Sequence, residues 1–169
     1  MEYFDIYDQY GNNLHAIVPR KNCVDMLSKV NGYHIAVLGL ICVNQHSIVI
    51  DQRAKSKDYG GYWEIPGGGL QAGETSKQGI MREIAEELGL SLPSQCFSLV
   101  KVFKDDRWRI IYHIYKVEME NLDINALTIQ PQELACVKLV DKAKMHAMMA
   151  HDHVLRFDKI IDLVDQLLN

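Results

Sequence analysis

Cysteine is scarce in this sequence and follows no recognisable spacing. The 169 residues include four cysteines, and no two of them form a CxxC pair. A disulfide framework or a zinc site needs closely and regularly spaced cysteines, so neither is expected here. Cys42 and Cys136 lie within apolar segments and are interpreted as small core residues.

Long apolar runs and an excess of basic residues are also lacking. The longest apolar run, Ile35–Val43, is far too short to cross a bilayer and is typical of a buried strand. The net charge is −4, with 18 Lys and Arg against 22 Asp and Glu. Nucleic-acid polymers and anionic membranes attract proteins rich in Lys and Arg, so neither is expected as a partner. A small phosphorylated substrate is compatible with this charge, because a bound metal can supply positive charge locally.

The first residues of the chain, Met1–Asp5, lack the basic and then apolar layout of a signal peptide, which predicts a cytoplasmic protein. No internal repeat, low-complexity segment or Pro/Gly/Ser-rich linker divides the sequence. At this length one core is the default, and we expect a single domain over residues 1–169.

Apolar periodicity predicts strands through the middle of the chain and helices at its end. This order predicts an α+β fold, in which a mixed β-sheet lies between helices as an α/β/α sandwich. The predicted elements are an N-terminal hairpin over 3–18, a short helix over 21–30, a second hairpin over 34–51, strands at 62–65, 97–103, 110–117 and 136–140, a helix over 75–88, and two C-terminal helices within 141–168, the last one capped by Asp152.

The helix over 75–88 has clear end signals. Thr75 with Gln78 three residues later forms the pattern of a capping box, and Gly89 stands where a C-terminal glycine cap belongs. Ile80 and Ile84 are spaced to anchor one side of the helix on a sheet. The sequence therefore predicts a helix with a fixed beginning, a fixed end and one buried side.

The other side of this helix carries a stripe of carboxylates. Glu83 and Glu87 lie one turn apart, and Glu86 falls on the same side. Like charges at these spacings destabilise a helix by roughly 0.2–0.5 kcal/mol per pair, and Gly79 in mid-helix costs ~1 kcal/mol relative to alanine. Both features are consistent with room for a bulky cation, and carboxylate oxygens suit Mg²⁺ or Mn²⁺. On the helix alone, a solvated acidic face is an equally good interpretation.

A glycine cluster precedes the helix and favours the metal interpretation. A short strand ends at Ile65-Pro66 and runs into Gly67, Gly68 and Gly69, which are predicted to form a turn. Such a turn can offer backbone carbonyls and N–H groups to a complex of metal and phosphate.

The segment from Gly68 to Leu90 resembles the Nudix box at every fixed position: Gly, five residues, Glu, seven residues, Arg-Glu, aliphatic, any residue, Glu-Glu, any residue, Gly, aliphatic. The resemblance implies an α/β/α sandwich and hydrolysis of a diphosphate linkage by metal-activated water, with Mg²⁺ as the cofactor and Mn²⁺ as an alternative. It implies Glu83 and Glu87 as principal metal ligands, Glu86 as a further ligand or a water-mediated contact, the Gly68 carbonyl as another ligand, and an ion pair between Glu74 and Arg82.

Outside the box, Glu2–Asp8, Gln52-Arg53 and Leu127–Glu133 resemble the isopentenyl-diphosphate-isomerase-like branch of the same family. Many members use a glutamate on a late loop as general base, which makes Glu133 the candidate; a surface residue in a polar turn is the alternative. Arg53, with the three glycines, is a candidate for binding substrate phosphate, and an exposed arginine at a strand end is the alternative.

Two other functions compete with the hydrolase. The isomerase uses a cysteine in the loop before the helix, whereas Ile65–Gly69 contains no thiol. A non-catalytic nucleotide-binding or sensor module usually loses one of the helix carboxylates, whereas this sequence keeps Glu83, Glu86 and Glu87. The resemblance therefore favours a hydrolase of a small diphosphate, such as a nucleoside diphosphate derivative, and a homodimer, since members are often dimers.

Overall fold

The computed structural model describes residues 2–168, and these form nine strands and four helices. The strands are β1 (Tyr3–Tyr7), β2 (Asn13–Pro19), β3 (His34–Val43), β4 (Ser47–Arg53), β5 (Trp63–Glu64), β6 (Gly67–Gly69), β7 (Phe97–Asp105), β8 (Ile110–Met119) and β9 (Leu134–Val140). The helices are α1 (Cys23–Lys29), α2 (Ser76–Leu88), α3 (Lys142–His151) and α4 (Phe157–Leu167). No helix within residues 2–168 is long and apolar enough to span a membrane.

Within the described residues, seven strands form one mixed sheet with the order β5-β4-β3-β8-β7, to which β6 adds beside β3 and β9 beside β4. β3 and β8 run parallel over their whole lengths, from His34↔Ile110 to Val43↔Met119. The other ladders of this sheet are antiparallel. Every residue of β3 is buried, as its continuous apolar run predicts for a central strand.

Helices cover both faces of the sheet and confirm the predicted α+β class. On one face, α2 buries Ile80, Ile84 and Leu88 in a core together with the β3 side chains that point to that face. On the other face, α3 and α4 bury apolar side chains such as Met145 and Phe157. Each such side chain contributes about 1.5–3 kcal/mol when it is fully buried, so these apolar surfaces hold the helices on the sheet.

The sheet divides where β3 and β4 separate. These two strands pair only at Cys42↔Ile48 and Val43↔Ser47, next to their hairpin turn. Further along, β4 pairs with β5 and β9, whereas β3 pairs with β6 through Ala36↔Gly69 to Leu38↔Gly67. The division creates a cleft whose walls are β4 and β5 on one side and β3 and β6 on the other.

The N-terminal hairpin of β1 and β2 packs with α1 beside this cleft. Phe4, Val18, Cys23 and Leu27 form a small separate core between them. The hairpin is attached to the main sheet because the Tyr7 N–H donates to the Tyr33 carbonyl oxygen at 2.8 Å and the Tyr33 N–H donates back at 2.8 Å. Consequently β1 forms one rim of the cleft.

Two local predictions are wrong. The glycine cluster is the strand β6 rather than a turn, because residues without Cβ let its backbone pair closely with β3. The last helix begins after Arg156 rather than after Asp152, which instead ends α3. The reason is that the chain at 153–155 pairs with β5: the Trp63 N–H donates to His153 O and the Leu155 N–H donates to Trp63 O, both at 2.8 Å.

Candidate active site

The helix α2 is fixed at both ends as its sequence predicts. The Thr75 hydroxyl accepts from the Gln78 N–H at 3.3 Å, and the Gln78 side chain accepts from the Thr75 N–H at 2.9 Å, which confirms the capping box. Gly89 ends the helix with φ +69°. Gly79 does not make room for a cation: a Cβ there would lie 2.5 Å from Leu70 Cδ1, so this glycine accommodates the packing of Leu70.

Glycines bring β6 against two carboxylates of α2. A Cβ on Gly68 would lie 2.5 Å from Glu83 Oε1, so only glycine lets the backbone lie so close to that carboxylate. The Gly67 N–H donates to Glu87 Oε2 at 3.2 Å. The strand β6 and the helix α2 therefore meet at Glu83 and Glu87.

Arg82 connects the loop before the helix to the carboxylate stripe. Its Nε and Nη2 donate to the two oxygens of Glu74 at 2.7 and 2.9 Å, a bidentate ion pair. Its Nη1 donates to Glu83 at 2.9 Å and to Glu86 at 3.2 Å, and its Nη2 also donates to Gly69 O at 3.2 Å. One guanidinium thus orients three carboxylates and the end of β6.

The carboxylates of the stripe differ sharply in exposure. Glu87 is 8% exposed, whereas the Glu86 side chain is 53% exposed and lies at the rim. Burial, reinforced by the charges of Glu83 and Glu64, raises the pKa of Glu87 well above its usual range. Burial also raises the pKa of Glu83, although Arg82 opposes the shift. Negative charge at this place is unfavourable until a cation or a proton compensates it.

These carboxylates line a cavity of about 580 Å³ that occupies the cleft. Arg53 at the end of β4 and Glu133 before β9 line the same cavity. Glu133 forms an ion pair with Lys57 at 2.5 Å, and its side chain is 33% exposed. The structure therefore brings the predicted residues together: the three glycines of β6, Arg53, Arg82, Glu83, Glu86, Glu87 and Glu133 all line this one cavity, and Glu74 stands behind Arg82.

Three residues of this region were not predicted. Asp51 and Glu64 lie directly opposite each other on β4 and β5, and Arg156 comes from the segment before α4. Both carboxylate oxygens of Asp51 are buried without a hydrogen-bond partner among residues 2–168, and burial with the charges of Glu64 and Glu87 raises its pKa. A charged residue that ends the apolar run Ile48–Ile50 is a signal for Asp51, whereas nothing near Arg156 in the sequence points to the cleft.

An aromatic pair forms part of the cavity wall at the hairpin. The rings of Phe4 and His34 stack with centroids 4.5 Å apart and planes at 11°, and both line the cavity. Burial lowers the pKa of His34 to about 4, so the imidazole is neutral at neutral pH.

Acidification is therefore expected to destabilise the fold through His34. The unfolded state binds a proton at its usual pKa of 6.5, whereas the folded state does not until pH falls to about 4, so stability is present above 6.5 and lost between 6.5 and 4. The two pKa values imply a loss of ~2 kcal/mol between pH 7 and pH 5. Urea unfolding at both pH values checks this for the wild type and for His34→Phe, which keeps the ring stack. An equal pH dependence in the two proteins would contradict the assignment.

No group of three or more His, Cys, Asp or Glu side chains within the described residues is arranged so that it could hold a metal ion. The carboxylates of α2 already have partners. Arg82 donates to Glu83 and Glu86, and the Gly67 N–H donates to Glu87. The donors that the sequence predicts for a metal lie in one cavity wall, but a metal would have to compete with these contacts.

Comparison with known proteins identifies the class to which this fold and cavity belong. The family model described as NUDIX domain matches residues 32–163, and the chain therefore belongs to the Nudix family. The 8-oxo-dGTP diphosphatase of Proteus vulgaris is 42% identical over 72 residues, which cover 43% of this chain and 62% of that protein. The chain thus spans less than two thirds of the length of that relative.

Solved structures agree on the fold. The crystal structure of a Deinococcus radiodurans protein superimposes with a TM-score of 0.74 at 15% identity, covering 99% of this chain and 100% of that chain. A bifunctional NMN adenylyltransferase/ADP ribose pyrophosphatase of Francisella tularensis, complexed with AMP and a Mn ion, gives a TM-score of 0.64 at 24% identity and covers 86% of this chain and 46% of that chain. At these identities the structures support the Nudix fold and no finer assignment.

Proposed function

We propose that this chain is a Mg²⁺-dependent hydrolase that cleaves the diphosphate linkage of a nucleoside diphosphate derivative or a similar small metabolite. The observation that carries the proposal is that the largely buried carboxylates of Glu83 and Glu87 line the same cavity as the glycine strand β6. The Proteus relative is a diphosphatase of 8-oxo-dGTP and the Francisella neighbour carries an ADP ribose pyrophosphatase, which supports the same bond type.

The donors in the cavity wall have the oxygen chemistry that a hard divalent cation needs, and a cation would bind by displacing their contacts with Arg82 and the Gly67 N–H. We propose the carboxylates of Glu83, Glu86 and Glu87 and the Gly68 carbonyl as its ligands, because Mg²⁺ prefers such oxygens and Mn²⁺ accepts them. The raised pKa of Glu87, to which the charge of Glu83 contributes, supports this fit, since a cation would offset the repulsion. When bound, the metal would neutralise phosphate charge and lower the pKa of the attacking water.

The chain's own residues would orient the reactants. The ion pair between Glu74 and Arg82 would hold Glu83 and Glu86 in place, and Arg53 with the glycines of β6 would bind substrate phosphate. Glu133 is proposed as the general base, whose carboxylate would accept a proton from water. Its ion pair with Lys57 would fix that carboxylate at the cavity wall.

One observation bears on the isomerase alternative. Cys23 lines the same cavity although it is distant in sequence, and burial raises the pKa of its thiol. Its place on α1, away from the loop before the helix, argues against the isomerase activity, and membership of the isomerase-like branch stays a proposal. Incubation with isopentenyl diphosphate, followed by NMR, separates the two: release of phosphate supports the hydrolase, whereas migration of the double bond without release supports the isomerase.

Metal removal tests the proposal directly. In a panel of nucleoside triphosphates, ADP-ribose, dinucleotides, and sugar and prenyl diphosphates, at least one compound is expected to release phosphate or pyrophosphate with Mg²⁺. EDTA should abolish the release, and excess Mg²⁺ or Mn²⁺ should restore it. Binding of a panel member without any turnover would instead support the non-catalytic sensor, and turnover in EDTA would contradict the metal mechanism.

The assembly and location complete the proposal. We propose that residues 1–169 form one Nudix domain and that this domain acts as a cytoplasmic homodimer. Light scattering during size-exclusion chromatography measures the mass of the assembly, and cell fractionation tests the location. A monomer at micromolar concentration would contradict the dimer without affecting the proposed reaction.

A further inference from the structure

Glu64 holds two arginines side by side at one end of the cavity. Its Oε1 accepts from Arg53 Nη1 and its Oε2 accepts from Arg156 Nη2, so each guanidinium uses a different oxygen. The Glu64 side chain is only 7% exposed, whereas those of Arg53 and Arg156 are 23% and 29% exposed. The carboxylate is therefore covered by the two cations, and the cations reach the cavity.

Each guanidinium retains N–H donors beyond the one that Glu64 accepts. The Arg53 Nε donates to Asp58 O at 2.8 Å. The Arg156 Nε, in contrast, is buried and has no hydrogen-bond partner among residues 2–168. Glu64 and the neighbouring groups therefore leave part of the Arg156 guanidinium unpaired, and because the side chain is 29% exposed and lines the cavity, it retains cationic N–H donors for an anionic ligand.

The backbone fixes Arg156 in this position. Arg156 has φ +62° and immediately precedes α4, after the segment that β5 binds through its Trp63 backbone. The Arg156 guanidinium carbon lies 5.4 Å from the centroid of the Tyr112 ring, a cation–π contact that helps to hold the side chain in place. The side chain is thus held by a carboxylate, a ring and its own backbone before any ligand arrives.

Arg156 also shares the cavity with the box carboxylates Glu83 and Glu87, and the charge of Glu64 contributes to the raised pKa of Glu87. The guanidinium pair and the box carboxylates therefore line the same cavity from its two walls. A diphosphate in this cavity would have the guanidinium donors of Arg53 and Arg156 on one side, and on the other side Glu83 and Glu87, the carboxylates that would hold a divalent cation.

We propose that Arg156, aligned with Arg53 by Glu64, binds a phosphate group of the substrate, so that the C-terminal segment takes part in substrate binding. The proposal rests on the function proposed above. It assigns the recognition of the phosphate chain to two elements that are distant in sequence, the end of β4 and the segment before α4.

The test compares Arg156→Gln, Arg156→Lys and the control Lys159→Gln. Lys159 is a cation on the surface of α4 whose ammonium pairs with Asp158 at 3.0 Å outside the cavity. Because a hydrogen bond to a charged group is involved, Arg156→Gln should raise KM about tenfold to a hundredfold with a smaller change in kcat. Arg156→Lys keeps the charge beside Glu64 but loses the planar fork, so its KM should fall in between. Lys159→Gln should match the wild type.

A second measurement needs no turnover. Calorimetric titration with inorganic pyrophosphate in EDTA at low ionic strength should give wild-type binding that weakens at least tenfold in Arg156→Gln and is unchanged in Lys159→Gln. Absent wild-type binding, or equal binding by Arg156→Gln, would overturn the inference, as would an unchanged KM together with a lowered melting temperature. Failure of hydrolysis in every substrate would defeat the proposed function alone, because the titration does not depend on it.

Discussion

Replacing Glu87 with glutamine is expected to lower kcat on the order of 10³-fold and, at the same time, to raise the melting temperature of the metal-free protein. Loss of a proposed principal metal ligand would remove several kcal/mol of charge stabilisation from the transition state, and about 4 kcal/mol corresponds to this factor. Glutamine keeps an acceptor for the Gly67 N–H, which donates to Glu87 Oε2 at 3.2 Å. The local structure should therefore persist in the variant.

The gain in stability follows from the sign of the pKa shift. Burial and the charges of Glu83 and Glu64 raise the folded-state pKa of Glu87, so the ionised carboxylate destabilises the metal-free fold at pH above that raised value. The penalty disappears as pH falls through the folded pKa toward the usual 4.5, where both states are protonated. The difference in melting temperature between Glu87→Gln and the wild type, measured in EDTA, should accordingly be large at pH 8 and small near pH 4.5.

Glu86→Gln is the matched control for this prediction. Its side chain is 53% exposed, and its described contact is an ion pair with Arg82, one helical turn earlier. We expect a smaller loss of kcat and no gain in melting temperature. Equal kcat in Glu87→Gln and the wild type would refute the assignment of Glu87, and equal losses in both variants would show that position on the stripe does not matter.

The parts of the site that sequence could predict are those that short spacings encode. Thr75, Gln78 and Gly89 define the ends of α2 through contacts within a few residues. The carboxylate stripe follows from helical periodicity, and the family pattern adds the pairing of Glu74 with Arg82, eight residues apart. Helix geometry fixes the caps and the stripe locally, so a single sequence suffices to infer them, whereas the pairing of Glu74 with Arg82 follows from the resemblance.

The parts that sequence could not predict depend on pairing between distant segments. Arg156 meets Glu64 across 92 positions, because the chain before α4 pairs with β5 instead of capping the helix at Asp152. The preference of aspartate for N-caps was a sound local signal, and a tertiary backbone pairing overrode it. The same holds for β6, whose glycines predict a turn until β3 supplies a partner strand.

Glu133 shows an intermediate case. Its candidacy as general base came from resemblance alone, and the geometry brings it to the cavity wall with Lys57 as its partner. The ion pair could equally serve to join the loop at 54–61 to the start of β9, where the Ala54 N–H donates to Glu133 O at 2.8 Å. The role of the side chain in catalysis therefore stays a prediction.

Gly67→Ala is expected to cost the fold at least ~3 kcal/mol and to abolish hydrolysis, because backbone strain and overpacking of this kind each cost about 1–3 kcal/mol. Gly67 has φ +154°, and a Cβ there would lie 2.1 Å from Val37 O and 2.9 Å from Leu38 Cα. These are backbone atoms of β3 that cannot move aside as a side chain can. Alanine should therefore separate β6 from β3 and displace the residue-67 N–H that donates a hydrogen bond to Glu87.

Gly11→Ala isolates the clash from the strain of a positive φ. Gly11 has φ +85°, and a Cβ there would meet nothing within 4 Å, so the substitution should cost only about 1–2 kcal/mol and leave hydrolysis unchanged. Urea unfolding of both variants and of the wild type gives the two free energies of unfolding, and the substrate identified in the panel gives the activities. If the two variants lose similar stability, close contact between β6 and β3 does not constrain the box. If Gly67→Ala has the same free energy of unfolding as the wild type yet is inactive, the alanine disturbs only the carboxylates. The close pairing of β6 with β3 is then needed for activity and not for stability.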